Sequence, residues 1–189
     1  MGWTWQHKPY GMKVKDFLIE EFTYENETRK SVVLDIAIVK LRTAYLAVET
    51  TIKETGDRKV WAGVVLLGYA PNDHFDLGYK DMDETMGPCE TECPERILDL
   101  LTPTDSQWAN EWREKCRGNL AARAKLRGFI KPGKTYRLKY PARFTDGATL
   151  QTVRVKQRKG SAWLVEPEDG WGLYRLGHDR FQGAEVVGS

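Results

Sequence analysis

Alternating apolar and polar residues predict β-strands in the first third of the chain. Three runs are rich in β-branched and aromatic side chains, at residues 31–39, 43–53 and 59–70. Short connections join them, and the link at residues 54–57 contains a glycine typical of a hairpin. The pattern therefore predicts a meander of three antiparallel strands, preceded by a short strand around Trp3 and Trp5.

Helical periodicity marks one segment before this sheet and two segments after it. Apolar residues recur at steps of three and four over residues 13–23, which predicts an amphipathic helix. Pro94 begins a short helix through residue 101, and the sequence Thr-Pro-Thr-Asp at residues 102–105 is typical of a helix start. This last helix is expected to reach about Arg127. Its predicted buried stripe has steps of four residues: Trp108, Trp112, Cys116, Leu120 and Ala124.

The pattern changes from helical to alternating near Gly128, where Lys-Pro-Gly-Lys at residues 131–134 predicts a turn. Five short strand patterns follow, at residues 136–140, 149–157, 162–167, 172–176 and 181–187. We expect a small SH3-like β-barrel, with an open five-stranded sheet as the alternative. The chain is therefore interpreted as α+β. Residues 1–128 form a helix, a three-stranded antiparallel sheet and two further helices, and residues 129–189 form the barrel.

The composition is that of an ordinary soluble protein, with 30% charged and 41% hydrophobic residues. No apolar run approaches the roughly 20 residues of a membrane helix, and the N-terminus has no signal-peptide pattern. The three cysteines are an odd number, which favours reduced thiols over a disulfide framework. These observations predict a cytoplasmic protein.

A net charge of +2 conceals a strong separation of charge along the chain. Residues 73–111 contain eleven acidic and two basic side chains, whereas residues 113–159 contain fifteen basic and two acidic ones. Such asymmetry is typical of a surface for nucleic acid or another charged partner. The alternative is that the two segments pair with each other or are solvated.

Five carboxylates and two cysteines are concentrated in residues 78–94. Zinc would need four ligands from His74, Cys89, Cys93 and Cys116, but only Cys89 and Cys93 are close in sequence. The acids at positions 81, 83 and 84 are a second, weak candidate, for magnesium or calcium. We therefore predict no bound metal and no cofactor. The segment is interpreted as an acidic connector whose surface a partner recognises, with four candidate binding residues: Lys80, Asp81, Asp83 and Glu84.

No catalytic signature of known mechanism is found, so no catalytic residue is assigned. A metal-dependent nuclease is the enzymatic alternative, because a helix followed by three strands with Glu20, Asp35 and Glu49 has suitable carboxylates. The lysine of its Asp57-x-Lys59 pattern, however, falls at a hairpin turn instead of inside a strand. The preferred interpretation is a binding protein that is not an enzyme, and a purely structural or interaction module is the other alternative.

The basic half of the chain is the candidate nucleic-acid-binding region, because cations beside aromatic rings can contact phosphates and stack on bases. Its candidate residues are Arg123, Lys125, Arg127, Lys131, Lys134, Arg154, Lys156, Arg158 and Lys159. Tyr136, Tyr140, Trp163 and Trp171 are nearby in sequence and are either stacking platforms or core. A double-stranded-RNA-binding domain is disfavoured, because its second helix should begin with lysines and this one begins among acids.

Several strings of residues carry a resemblance to a known group of proteins. They are Met-Gly-Trp-Thr at residues 1–4, Gly-Tyr-Lys-Asp-Met-Asp-Glu-Thr-Met-Gly-Pro at 78–88, Cys-Pro at 93–94, Ile-Leu-Asp-Leu-Leu-Thr-Pro-Thr-Asp at 97–105 and Glu-Trp-Arg-x-Lys-Cys at 111–116. Together they resemble small proteins of unknown function carried by bacteriophages, plasmids and integrated elements. The resemblance implies no catalytic residue. It implies a mobile-element protein that binds nucleic acid, or that inhibits a host protein handling nucleic acid.

Overall fold

A computed structural model describes residues 2–69 and 76–187. The chain divides into two compact units, Met1–Leu120 and Ala121–Ser189, called unit 1 and unit 2 below. Each unit contains one antiparallel sheet, and the described residues include three α-helices. The predicted mixture of helices and antiparallel strands is therefore confirmed, although the number of strands in the first sheet is different.

In the described residues unit 1 contains six strands, where the sequence predicted a short opening strand and a three-stranded meander. In chain order they are β1 (Thr4–His7), β2 (Tyr24–Glu25), β3 (Arg29–Val39), β4 (Thr43–Ile52), β5 (Arg58–Tyr69) and β6 (Asp76–Asp83). Their order across the sheet is β1-β6-β5-β4-β3-β2. The predicted meander is β3 to β5, and the prediction of three strands is wrong because β6 adds to its edge and pairs with β1.

Helix α1 (Val14–Phe22) covers part of one face of this sheet, called the α1 face. It buries Phe17 and Leu18 against alternate residues of the strands, including Leu46, Val48 and Leu77. Alternation then assigns neighbouring positions to the opposite face. The helix predicted over residues 13–23 is therefore confirmed, with its packing role on the sheet.

The opposite face of the sheet is covered by α2 (Glu95–Leu98) and by α3 (Gln107–Phe129). Trp112 and Cys116 of α3 are buried there with Ile97 and Leu98 of α2. Trp108, predicted as part of the buried stripe, is 65% exposed, because it lies in the first turn of α3 and its ring covers the backbone of Gly87.

A buried ion pair closes the edge of β5 where β6 ends. The last pairing of these strands joins Gly63 to Asp83. Beyond it, the Ala62 amide donates to Glu84 Oε1 at 3.3 Å, and Arg113 of α3 binds the same carboxylate with two hydrogen bonds of 2.6 Å. Both side chains are buried, Glu84 at 1% exposure and Arg113 at 7%. The pair therefore provides a hydrogen-bond acceptor for the Ala62 amide at the edge of β5, and it connects α3 to the sheet.

Thr102 belongs to this network. The sequence predicted that Thr102 would cap α3, and this prediction is wrong. Its amide and hydroxyl both donate to Val60 O of β5, at 3.0 and 3.2 Å, and its carbonyl accepts from Arg113 Nη1 at 2.7 Å. Helix α3 begins later, where Ser106 Oγ accepts from the Ala109 amide at 3.4 Å. A tertiary contact to β5 has displaced the local capping preference.

Unit 2 contains a five-stranded antiparallel sheet. Its strands are β7 (Thr135–Arg143), β8 (Thr149–Lys159), β9 (Ala162–Pro167), β10 (Tyr174–Gly177) and β11 (Glu185–Val187). The order is β10-β9-β8-β7-β11, so β10 and β11 are the two edge strands. The five strands are close to the predicted ones, except that a 3-10 helix (His178–Phe181) occupies the start of the last predicted run.

The core of unit 2 forms between one face of this sheet and the chain that precedes it. Tyr136, Leu138 and Val153 are buried with Ile130 and Phe181, and Leu126 of α3 packs against them. The Tyr136 hydroxyl donates to Phe129 O at 2.9 Å and accepts from the Lys131 amide at 2.8 Å. Helix α3 thus contributes apolar side chains to the cores of both units.

Candidate nucleic-acid interface

One face of the unit 2 sheet is covered by its core, and the other face is exposed and basic. In β7 and β8 the buried residues alternate with exposed cations. The outward charged side chains, together called the outer sheet face, are Arg137, Lys139, Arg154, Lys156, Glu166, Arg175 and Glu185. Five are cationic and two anionic, so this surface is electropositive.

Few of these cations are neutralised by neighbouring carboxylates. Glu166 contacts Lys156 Nζ at 3.1 Å and lies 3.9 Å from Arg154 Nη1. No ion pair is found for Arg137, Lys139 or Arg175 within the described part of the chain. Exposed pairs such as these are weak and screened by salt, so all five cations remain available to phosphate groups.

The predicted basic residues belong to several different elements of unit 2. Arg154 and Lys156 belong to the outer sheet face, whereas Arg158 and Lys159 end β8 beside its hairpin turn, where Arg158 Nε donates to Gly160 O at 3.1 Å. The others precede the sheet. Lys131 and Lys134 are exposed in the loop before β7, and Arg123, Lys125 and Arg127 are on the last turns of α3.

Arg175 was missed by the sequence analysis, and Arg137 and Lys139 were not among the candidate residues. The available signal was alternation with buried neighbours. Leu138 and Leu176 point into the core, which directs the residues beside them outward. Selecting cations that alternate with apolar residues in a strand, instead of cations that are dense along the chain, identifies these three residues.

Of the four aromatic residues considered for stacking, two are exposed. Tyr136 and Trp163 are buried in the core of unit 2. Tyr140 is 67% exposed, with Lys139 Nζ 5.2 Å from its ring centroid, and Trp171 is 83% exposed in the loop before β10. Only Tyr140 and Trp171 are therefore available to stack on a base.

The four predicted acidic-surface residues are distributed over different environments. Because side chains alternate along β6, Asp81 and Asp83 lie on the α1 face and Lys80 lies on the opposite face. Glu84 is buried in the ion pair with Arg113. The structure thus brings Asp81 and Asp83 together, without Lys80 or Glu84.

The weak metal candidates do not form a ligand cluster in the described residues. Cys89 is exposed, while Cys93 and Cys116 are buried in the core between the sheet and α3. Burial raises the pKa of the Cys116 thiol to about 11, which disfavours the thiolate that zinc requires. His74 lies outside the described residues. Within residues 2–69 and 76–187, no three His, Cys, Asp or Glu side chains are grouped to hold a metal ion.

The carboxylates of the nuclease alternative are separated. Glu20 is on α1, whereas Glu49 pairs with Val60 and lies on the face opposite α1. Asp35 forms an ion pair with Arg96. Among the described residues, Lys59 is exposed at the start of β5 and forms no ion pair with these acids.

Comparisons with known proteins give a partial match. Residues 103–179 match the model of a family described as a domain of unknown function (DUF6927). The match covers less than half of the chain and contains α3 and strands β7 to β10. No curated protein matches the chain, and no solved structure matches it. Separately, none of the helices in the described residues combines the length and apolar character needed to cross a membrane.

Proposed function

We propose that the protein is a non-enzymatic nucleic-acid-binding protein whose outer sheet face contacts the sugar–phosphate backbone. The observation that carries this proposal is the excess of cations on one face of the unit 2 sheet, three of which have no ion-pair partner in the described residues. Binding to phosphates through lysine and arginine releases counterions and provides affinity that does not depend on sequence.

Single-stranded nucleic acid is the proposed form of the ligand. Tyr140 and Trp171 are exposed aromatic residues in the same unit as the cations. A single strand offers unpaired bases that stack on such rings, whereas a duplex does not. An SH3-like arrangement of the five strands, and a role in the biology of a mobile genetic element, are parts of this proposal that rest on the sequence.

The experiment is a salt titration of binding to labelled single-stranded and duplex DNA and RNA, measured by fluorescence anisotropy. The test variant replaces Arg137, Arg154 and Arg175 by Gln. The control variant replaces three exposed lysines of unit 1, Lys13, Lys15 and Lys115, by Gln, with the same change in net charge. Each lost phosphate contact lowers the salt slope by about 0.7 on a single strand, so the test variant should lose about two units of slope.

The expected result is binding of the wild-type protein that falls with salt, at least tenfold weaker binding by the test variant, and little change in the control. Equal losses in both variants would show that net charge, and not the outer sheet face, determines binding. The absence of affinity at low ionic strength would refute the proposal, and a host protein that handles nucleic acid would then be the candidate partner.

A further inference from the structure

Helix α1 covers only part of the α1 face, and the remaining part forms a groove of about 550 Å³ in unit 1. Its lining includes Tyr24, Arg29, Thr50, Lys59 and Trp61, and these residues are called the α1-face groove. The volume is within the range of about 300–1,000 Å³ that is usual for small-molecule sites.

Strand register explains why these side chains converge. Tyr24 of β2 pairs with Ser31, Ser31 pairs with Thr50, and Thr50 pairs with Lys59, so the row crosses four strands. Paired residues of neighbouring strands share a face of the sheet. In the adjacent rows Arg29 pairs with Ile52 and Val48 pairs with Trp61, which extends the groove on either side.

The cations of the groove are free, whereas its carboxylates are engaged. Neither Arg29 nor Lys59 has a hydrogen-bond or ion-pair partner for its side chain among the residues described, and the same is true of Arg58 at the rim. Asp57 accepts from the Thr55 hydroxyl at 2.7 Å, and Asp83 accepts from the Thr85 amide at 2.7 Å and from the Thr85 hydroxyl. These donors are neutral and Glu84 is paired with Arg113, so three cations face the charges of Asp57 and Asp83, and the groove keeps a net charge of +1 that favours an anion.

Two aromatic rings lie beside these cations. Trp61 is half-buried, and its indole Nε1 donates to Thr50 Oγ1 at 2.9 Å, which fixes the ring against the sheet. Tyr24 is 45% exposed on β2. Phosphate alone would need only the cations, so the rings indicate a ligand that also has a flat apolar part.

We propose that the α1-face groove binds a nucleotide, either free or as one unit of a single strand. Its base lies against Tyr24 and Trp61, and its phosphate is bound by Arg29 and Lys59 through charge-assisted hydrogen bonds. The site is independent of the outer sheet face, because every residue of the groove belongs to unit 1.

The test is equilibrium dialysis with radiolabelled AMP, GMP, CMP and UMP, and in a separate arm with an oligo(dT) strand. One variant replaces Arg29 and Lys59 by Gln, and a second replaces Tyr24 by Ala. The control replaces Lys15 and Lys115, exposed lysines outside the groove, by Gln. The changed side chains are all exposed, and the denaturant midpoint of each variant establishes that unit 1 is folded.

At least tenfold weaker binding is expected in both groove variants, with no change in the control, since one phosphate contact or one stacked base each accounts for about that factor. If a mononucleotide binds in the first arm, the ligand of the groove is a free nucleotide. If the groove variants lose affinity for oligo(dT) alone, the ligand is one unit of a single strand. The triple outer-face variant should bind mononucleotides normally, which separates this site from the proposed function. Wild-type protein that binds neither ligand, groove variants that bind normally, or inorganic phosphate that competes as well as the nucleotide would each overturn the proposal.

Discussion

Removal of one partner of the buried Glu84–Arg113 pair should strongly destabilise unit 1. In Glu84→Ala, the Arg113 guanidinium, which is 7% exposed in the native protein, loses two hydrogen bonds of 2.6 Å and keeps Thr102 O as its one partner among the described residues. An uncompensated buried charge costs about 3–5 kcal/mol of unfolding free energy. Arg113→Met should cost a similar amount, because it leaves the Glu84 carboxylate buried without its cation.

The double variant Glu84→Ala with Arg113→Met tests whether the two residues act as a pair. It leaves no buried charge, so its loss of stability should be less than the sum of the single losses by about 2–3 kcal/mol. As a control, Lys40→Met breaks the exposed pair with Glu92, whose atoms are 2.7 Å apart, and should cost less than about 1 kcal/mol.

Pulsed thiol labelling across a urea series, read by mass spectrometry, measures unit 1 by itself. All three cysteines belong to unit 1, and Cys93 and Cys116 are buried there. Their labelling midpoint therefore reports the unfolding of unit 1 without a contribution from unit 2. Single losses below about 1 kcal/mol, or strictly additive losses, would contradict the assignment of the pair as the contact that joins α3 to the sheet.

Three further predictions use thiol labelling as the measurement. In the native protein Cys89 should react rapidly with iodoacetamide at pH 8, whereas Cys93 and Cys116 should react only after unfolding, because burial raises the pKa of both thiols, that of Cys116 to about 11. For the same reason unit 1 should lose stability as the pH rises from 9 to 11, because the thiols ionise at lower pH in the unfolded chain than in the folded one. A stability that stays constant over this pH range would contradict the prediction. Gly78→Ala should cost about 1 kcal/mol, because its Cβ would lie 2.9 Å from the ring of Trp5, and Trp5→Ala in the same chain should reduce that cost. An equal cost with and without the Trp5 ring would contradict the steric explanation.

Strand patterns in the sequence were sufficient for β1 and for the centre of the first sheet, but not for β6 or the short edge strand β2. Strands β3 to β5 have the β-branched residues that favour a strand on their own. Strand β6 contains Gly78, Asp81 and Asp83, which disfavour strands locally, and it forms because β1 and β5 pair with it on both sides. Tertiary pairing of this kind leaves no signal in the segment itself.

Helix faces were predicted where burial follows the helical period and missed where another contact intervenes. Trp112 and Cys116 are buried as the steps of four residues indicated, but Trp108 covers Gly87 at the start of α3. The candidate interface shows a related limit. Alternation gives the side of the sheet on which Arg154 lies, but the contact of Glu166 with Lys156 depends on strand register, which the sequence does not provide.

Because α3 contributes side chains to the cores of both units, it limits where the chain can be truncated. A fragment of residues 103–179 keeps all of α3 but removes the strands that cover Trp112 and Cys116, and it also removes β11 from the edge of β7. Such a fragment would present a bare apolar helix face and an unpaired strand edge to solvent, both of which promote aggregation. The segment that a family model recognises is therefore not the segment to express, and a chain that retains unit 1 and β11 should resist aggregation better.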